Sequence, residues 1–188
     1  MSNQGQLIEA HERFTDTELI HLIEASRAGD KAAYRQLYDI SVGQVYGLAL
    51  RLIGDRNMAE DATQEVFIQL WNKLDNYAGD AKFSTWLHRV TANITVSYMR
   101  RQKSWWQRTF SIENSEAMQL PAQSDLQQVN FEAHVASLPE RARMVFVLHA
   151  IEGYRHEDVA EMLNMAVGTS KAQYHRAKHL LKERLGHE

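Results

Sequence analysis

The sequence predicts an all-α protein, two small helical domains joined by a flexible linker, and three observations carry that prediction. Only two prolines and nine glycines punctuate 188 residues, so the segments between them are long. Within those segments apolar residues recur at helical spacing. Between the two groups of helices lies SIENSEAMQLPAQSDLQQVN (111–130), which lacks Lys and Arg, is rich in Gln and Ser, and holds one of the prolines, the composition of a linker. The expected division is a mobile leader at 1–16, a first domain at 17–108, the linker at 109–130, and a C-terminal helix-turn-helix domain at 131–188.

In the first domain, Thr17 to Ala28 reads as a short amphipathic helix (Leu19, Ile20, Leu22, Ile23) ended by Gly29. Asp30 is placed to cap the next helix, which runs to Ile53 with Tyr34, Leu37, Tyr38, Val42, Val45, Tyr46, Ala49 and Leu50 at helical spacing. Gly54 stops it, and Asp55 can cap the one after. Met58 to Leu74 has an inner side of Ala59, Thr63, Val66, Phe67, Leu70 and Leu74. Its outer side holds Asp61, Glu65, Ile68 and Asn72, with Gln64 and Trp71 at the rim. A single exposed isoleucine is usually unremarkable, but an isoleucine centred on an acidic face beside a tryptophan suggests a docking surface with polar edges.

A loop from Asp75 to Phe83 with Gly79 leads into KFSTWLHRVTANITVSYMRRQKSWWQR (82–108), a stretch without Asp or Glu. It carries Lys82, Arg89, Arg100, Arg101, Lys103 and Arg108 together with Phe83, Trp86, Trp105 and Trp106. Cations meet phosphates and flat rings stack on bases, so this composition suits a nucleic-acid strand. If Thr85 to Arg101 is a helix at ~100° per residue, then Leu87, Val90, Ile94, Ser97 and Tyr98 share the inward side. Trp86, Arg89, Asn93 and Arg100 then form a stripe on another side, a plain solvated face being the alternative reading. Just before it, the acids Asp55, Glu60, Asp61, Glu65, Asp75 and Asp80 face only Arg56 and Lys73. Acid and base are segregated into adjacent segments, which implies two different partners for one domain.

The C-terminal part begins with a short helix, Phe131 to Ser137, broken at Leu138-Pro139. Glu140 to Glu152 follows, apolar along Met144, Val145, Val147, Leu148 and Ile151, with Gly153 as its stop. His156 to Leu163, the turn Asn164-Met165-Ala166, and Gly168 to Leu185 then give helix, tight turn, helix. In the last helix Ser170, Tyr174, Ala177 and Leu181 point inward; the outward side is centred on Ala172, His175, Arg176 and His179. Lys171, Lys178 and Lys182 line one rim, Thr169 and Gln173 the other. Small Ala172 allows close approach to a groove, Arg176 can pair with guanine, and the rim lysines can hold phosphates; a terminal helix with solvated lysines is the plainer reading.

Composition narrows the function. The length suits one domain or two small ones, and 44% hydrophobic residues is ordinary for a chain with a real core. The absence of cysteine excludes disulfides, thiolate metal sites and cysteine nucleophiles, and fits a reducing, cytoplasmic setting. MSNQGQLIEAHERFTD has neither a basic start nor an apolar run, so no signal peptide is expected, and no segment approaches the ~20 apolar residues of a membrane span. His175 and His179, four apart, could share a metal, yet no third ligand sits at a telling spacing and no catalytic constellation stands out. No cofactor, metal or enzymatic activity is therefore expected. The formal net charge of -3 is awkward for a free-standing DNA binder: either DNA is not the ligand, or something else supplies much of the affinity.

Two blocks resemble the bacterial RNA polymerase sigma factors of the extracytoplasmic-function (ECF) type. The first is VYGLALRLIGDRNMAEDATQEVFIQLW followed by KFSTWLHRVTAN; the second is LPERARMVFVLHAIEGYRHEDVAEMLNMAVGTSKAQYHRAKHLL. They stand in the family's order and spacing and cover nearly everything but leader and linker. The resemblance implies a non-catalytic initiation subunit, serving a stress- or envelope-related set of genes. It implies that Asp61, Gln64, Glu65 and Ile68, with Trp71 and Asn72 alongside, dock on the clamp helices of the largest subunit of core RNA polymerase. The second domain would reach the polymerase flap, and the linker would thread near the active cleft and RNA exit path.

It further implies that the loop from Tyr77 to Ser84, with Lys82 and Phe83, joins Trp86, Arg89, Asn93 and Arg100 in binding the minus-ten promoter element. There they would capture a flipped base and assist opening. The last helix, through Thr169, Lys171, Ala172, Gln173, His175, Arg176, Lys178 and His179, would read the minus-thirty-five element, and an anti-sigma factor would hold the protein inactive. Delivery by polymerase would also let the protein's own basic surface stay small.

Some positions depart from the family's pattern. Ser97 stands where Asp is usual, and Val, Arg and Leu are more usual at Ser170, Gln173 and Tyr174, which leaves the promoter sequence open and makes Ser170 an expected weak point in packing. Leu87 follows Trp86 where primary sigma factors have a second tryptophan, implying weak strand opening and a stringent promoter requirement. The rival reading is a helix-turn-helix repressor or activator working without polymerase, which leaves Ile68 and the basic aromatic stripe without a task.

Overall fold

The computed structural model describes residues 16–110 and 129–185, with side chains at 17–104 and 131–185. Most of the expected leader and linker, at 1–15 and 111–128, and the side chains of Trp105, Trp106 and Arg108 lie outside the described residues, while the described ends of both segments, at 16, 109–110 and 129–130, are helical. Eight α-helices are present among them: α1 (Asp16–Arg27), α2 (Lys31–Ile53), α3 (Arg56–Lys73), α4 (Phe83–Phe110), α5 (Val129–Ala136), α6 (Glu140–Phe146), α7 (His156–Leu163) and α8 (Val167–Leu185). A 3-10 turn, Leu74–Asn76, follows α3, and a π-helical turn, Val147–Ile151, follows α6.

The helix boundaries have local causes. The Asp30 carboxylate accepts from the Ala32 and Ala33 amides (2.8 and 3.2 Å) and so starts α2, and Asp55 accepts from the Met58 amide (2.9 Å) at the start of α3. Gly54 ends α2 at φ 76°, in the left-handed region that costs other residues energy.

Compactness divides the chain into two units. Among the described residues, one holds those up to Ala49 and resumes from Glu60 to Ile94; the other takes Leu50–Ala59 and those from Thr95 on. The first unit is built on Ile23, Leu37, Val45, Val66, Phe67, Leu70, Leu74, Phe83, Leu87 and Ile94, contributed by α1, α2, α3 with the 3-10 turn behind it, and α4. The inner side expected for α3 and its end, Ala59, Thr63, Val66, Phe67, Leu70 and Leu74, is buried throughout.

In the second unit the segment expected to be one helix from Glu140 to Glu152 changes pitch. Met144, Val145, Phe146, Val147 and Leu148 are five consecutive buried residues, more than one face of a 3.6-residue helix can hold. The chain widens after Phe146, with the Glu152 amide bonded to the Val147 carbonyl five residues back at 3.0 Å.

The second unit also contains a buried guanidinium. Arg143 of α6 donates from Nε to the Leu52 carbonyl (3.1 Å) and from Nη1 to the carbonyls of Ala136 (2.9 Å) and Leu138 (3.2 Å), while Nη2 donates to the carbonyl of Ile53. These are the carbonyls left over where α2 and α5 end, which have no intrahelical partner. Burial lowers the Arg143 pKa from its ordinary value, opposed by the neighbouring Glu140 carboxylate. Arg51 adds an ion pair to Glu152 at 3.1 Å, with the carboxylate nearly enclosed. Replacing Arg143 by methionine strands four carbonyls and is expected to cost about 3 kcal/mol in urea unfolding, with lysine at this position recovering only part because it has no planar fork.

Candidate functional site

Three surfaces hold the residues singled out in the sequence. The first is the outer face of α3. Ile68 is 64% exposed, flanked by exposed Asp61, Gln64 and Asn72, with Glu65 and Trp71 partly buried at its edges. Gln69 donates to the Glu65 carboxylate at 2.5 Å. Trp71 is held edge-on against Tyr34 with ring centroids 4.7 Å apart. The Tyr34 hydroxyl donates to the Phe67 carbonyl, and burial pushes its phenol above the ordinary value. One apolar side chain is thus presented on a polar face whose aromatic edge is fixed from behind.

The second surface is the loop before α4 and the first turns of that helix. Tyr77, Phe83 and Trp86 form an aromatic triangle, with centroids 5.5 Å apart for Tyr77–Phe83, 5.4 Å for Tyr77–Trp86 and 5.8 Å for Phe83–Trp86. Phe83, expected with the outward residues, is instead 3% exposed and belongs to the core. It supports Trp86, which is half-buried. Tyr77 is tied down by its hydroxyl donating to the Ala81 carbonyl (2.7 Å), and the Ser84 carbonyl accepts a long bond from Gln44 (3.4 Å).

Sequence reasoning missed the anchor of this loop. Arg27, at the end of α1, donates from Nε and Nη2 to the Leu74 carbonyl (2.9 and 2.8 Å), and Nη2 also reaches the Tyr77 carbonyl. The available signal was a basic residue in the last turn of α1, a position that gives no hint of contacts 47 to 50 residues away.

Along α4 the exposed line is Arg89, Asn93, Ser97 and Arg100, with Lys82 exposed just ahead of it. Ser97, expected on the inward side, lies on this outward line. The inward space is taken by Thr91, Ala92, Ile94, Thr95, Val96, Tyr98 and Met99, all buried. Thr91 can be buried because its hydroxyl donates to the Leu87 carbonyl four residues back at 2.8 Å. The Asn93 amide donates to the Arg89 carbonyl (3.0 Å), and Arg100, in the second unit, donates to the Met162 carbonyl (2.5 Å).

The third surface is α8, which packs on α6 and α7. Asn164 adopts the left-handed conformation (φ 50°) that turns the chain between α7 and α8. Lys171, Ala172, His175, Arg176, Lys178, His179 and Lys182 are exposed, Thr169 and Gln173 are partly buried at the rim, and Ser170, Ala177 and Leu181 are buried. Ser170 packs without exposure and bonds His156 (2.9 Å), so the weak point expected at this position is a paired polar contact. Lys178 lies over the Tyr174 ring at 5.3 Å, and His179 faces Glu183 at 3.4 Å. Among the described residues no group of three or more His, Cys, Asp or Glu side chains is placed to hold a metal ion, and no helix is long and apolar enough to cross a membrane.

The described surfaces are thus an acidic face with an exposed isoleucine, an aromatic and basic helix line, and a helix-turn-helix with an outward basic face. Comparison with known proteins identifies the class. The family profile "Sigma-70 region 2" matches residues 37–104 and "Sigma-70, region 4" matches 129–181. The chain is 30% identical over 176 residues to the ECF RNA polymerase sigma factor SigW of Bacillus subtilis, covering 87% of this chain and 94% of that protein. It is also 30% identical over 191 residues to the ECF RNA polymerase sigma factor SigE of Mycolicibacterium smegmatis, covering 93% and 74%. Among solved structures it resembles the sigma factor RpoE of Bartonella quintana, determined in complex with the anti-sigma factor NepR, with a TM-score of 0.55, 25% identity, and coverage of 81% of this chain and 96% of that one. The chain belongs to the ECF sigma factors.

The anchoring role of Arg27 is open to a direct check. Arg27→Met is expected to speed amide exchange across residues 74–77 while costing only about 1 kcal/mol in global stability, because the guanidinium is exposed.

Proposed function

We propose that this sigma factor is a dissociable, non-catalytic subunit that joins cytoplasmic core RNA polymerase, recognises a two-part promoter and starts transcription there. The observation that carries the reading is Ile68, 64% exposed at the centre of the outer face of α3. Burying an isoleucine against a partner contributes roughly 1.5–3 kcal/mol, and the flanking Asp61, Gln64, Glu65 and Asn72 supply a polar rim beside Trp71. Core polymerase, through the clamp helices of its largest subunit, is the partner such a face fits in this family.

The proposed division of labour keeps a first domain at 17–108 and a second at 131–188, supported by the profile matches at 37–104 and 129–181 and not drawn from the compact units. Tyr77, Lys82, Ser84, Trp86, Arg89, Asn93 and Arg100 would engage the minus-ten element, with Phe83 acting from beneath Trp86. Stacking on Trp86 can stabilise a displaced base by roughly 1–3 kcal/mol. The outward face of α8 would lie in the major groove of the minus-thirty-five element, with Arg176 central and Lys171 and Lys178 on phosphates. An anti-sigma factor is the expected regulator, by analogy with the complexed relative. A helix-turn-helix repressor acting without polymerase would leave both the Ile68 face and the α4 line without a partner.

Three variants separate these roles. Ile68→Asp should lower affinity for core enzyme at least about tenfold while leaving helicity and stability within about 0.5 kcal/mol; loss of helicity would place Ile68 in the core. Arg176→Ala should cost ~1 to 3 kcal/mol in binding the upstream element. Trp86→Ala should leave promoter binding largely intact and impair opening, read by permanganate reactivity of unpaired thymines. The chain alone should fail to shift duplex DNA that the chain with core enzyme shifts; a strong shift without core enzyme favours the repressor reading.

A further inference from the structure

The two imidazoles behind the last helix have no part in the roles assigned above. His149, in the π-helical turn, and His156, the first residue of α7, stack with ring centroids 3.8 Å apart and planes 25° from parallel. Each ring is fixed at Nδ1. The His149 Nδ1 lies 2.8 Å from the Tyr154 carbonyl, which can only accept, so that nitrogen carries a proton. The His156 Nδ1 lies 2.9 Å from the hydroxyl of Ser170, a fully buried residue of α8. Tyr174 of α8 closes the cluster, its ring edge-on to both imidazoles at 4.8 and 5.7 Å. A helix-turn-helix has only a short turn to fix the angle between its two helices, so a side-chain bond from α7 to α8 bears on where the outward face points.

We propose that His156 and Ser170 are positioning residues for DNA recognition: their bond, backed by the His156–His149 stack, sets the seating of α8, and protonation of His156 disturbs that seating. The inference rests on the reading that α8 contacts promoter DNA. The groups facing His156 are His149 from the π-helical turn, Tyr174, Lys171 and His175 from α8, and Glu157 from α7 itself. Burial, then His149, then Lys171 lower the His156 pKa from its ordinary value, with His175 adding to and Glu157 opposing the shift. A histidine held below its unfolded pKa stabilises the fold fully above that pKa, near 6.5, and loses the contribution as pH falls through the folded value. The Ser170 bond can survive protonation with donor and acceptor exchanged, but the new charge then stacks on a second imidazole. Mildly acidic solution should therefore loosen the contact between α7 and α8. Because His175 and His179 also stand exposed on the outward side, a variant altered only at His156 is needed to isolate the effect.

The test uses the full chain with core RNA polymerase and DNA fragments selected by that holoenzyme from a random-sequence pool at neutral pH. His156→Asn keeps an acceptor near the Nδ1 position and cannot titrate. Its promoter affinity at neutral pH should stay within about threefold of the wild type, the bond to Ser170 being kept and the stack lost, while the ratio of wild-type to variant affinity should fall about twofold or more as the pH is taken from about 7.5 to about 5. Ser170→Ala should weaken promoter binding several-fold at every pH, with far-UV circular dichroism unchanged. Parallel pH profiles for wild type and His156→Asn, or wild-type binding by Ser170→Ala, would overturn the proposal. If Arg176→Ala also binds these fragments like wild type, the fault lies in the reading of α8 as the DNA-contacting helix.

Discussion

The packing of α4 is the constraint on which the rest depends. Leu87, Thr91, Ala92, Ile94, Thr95, Val96, Tyr98 and Met99 are all buried, so most of the helix circumference is committed to packing and one line of side chains is left outside. A helix gripped this widely cannot roll without pulling several side chains from contact, and a shift of one residue would turn its outward line by ~100°. Arg89, Asn93, Ser97 and Arg100 therefore hold a fixed azimuth, with Trp86 supported by Phe83 and Tyr77 at the leading end. In a protein with a net charge of -3, placing few cations well matters more than carrying many.

The ends of helices supply the second theme. Arg27 and Arg143 both spend their guanidinium groups on backbone carbonyls where helices or turns finish, Arg27 at Leu74 and Tyr77, Arg143 at Leu52, Ile53, Ala136 and Leu138. Each substitutes a side-chain donor for the missing next turn. Neither residue belongs to a surface assigned to a partner, yet Arg27 holds the loop that leads into the Trp86 region.

Much of this was legible in the residue order. Glycines and aspartates marked the helix limits because left-handed backbone and amide capping are local properties, and the α3 inner side followed from apolar spacing alone. The helix-turn-helix was readable for the same reason: α7 ends where Asn164 takes the left-handed turn. What escaped was non-local or chemically ambiguous. Ser97 read as inward and is outside, while Thr91 and Thr95, given no side by the sequence, are buried, because apolar spacing cannot rank small hydroxyl residues on one helix. Phe83 could have been surface stacker or core, and only the neighbouring loop decides. The run from Met144 to Leu148 looked like an ordinary helix interior, and the change to a π-helical turn falls within these five buried residues without a local sequence signal. Ser170 looked like a packing defect since its partner, His156, lies on another helix.

In the proposed function, the acidic outer face of α3 and the outward lines of α4 and α8 become a promoter-reading device only when polymerase joins them. The most direct measurement is run-off transcription from genomic DNA fragments with core enzyme, with and without this chain. The account predicts discrete transcripts from a small set of fragments that appear only when the chain is present. An identical transcript pattern with and without it, at concentrations where the chain and core enzyme co-migrate as a complex, would contradict the account.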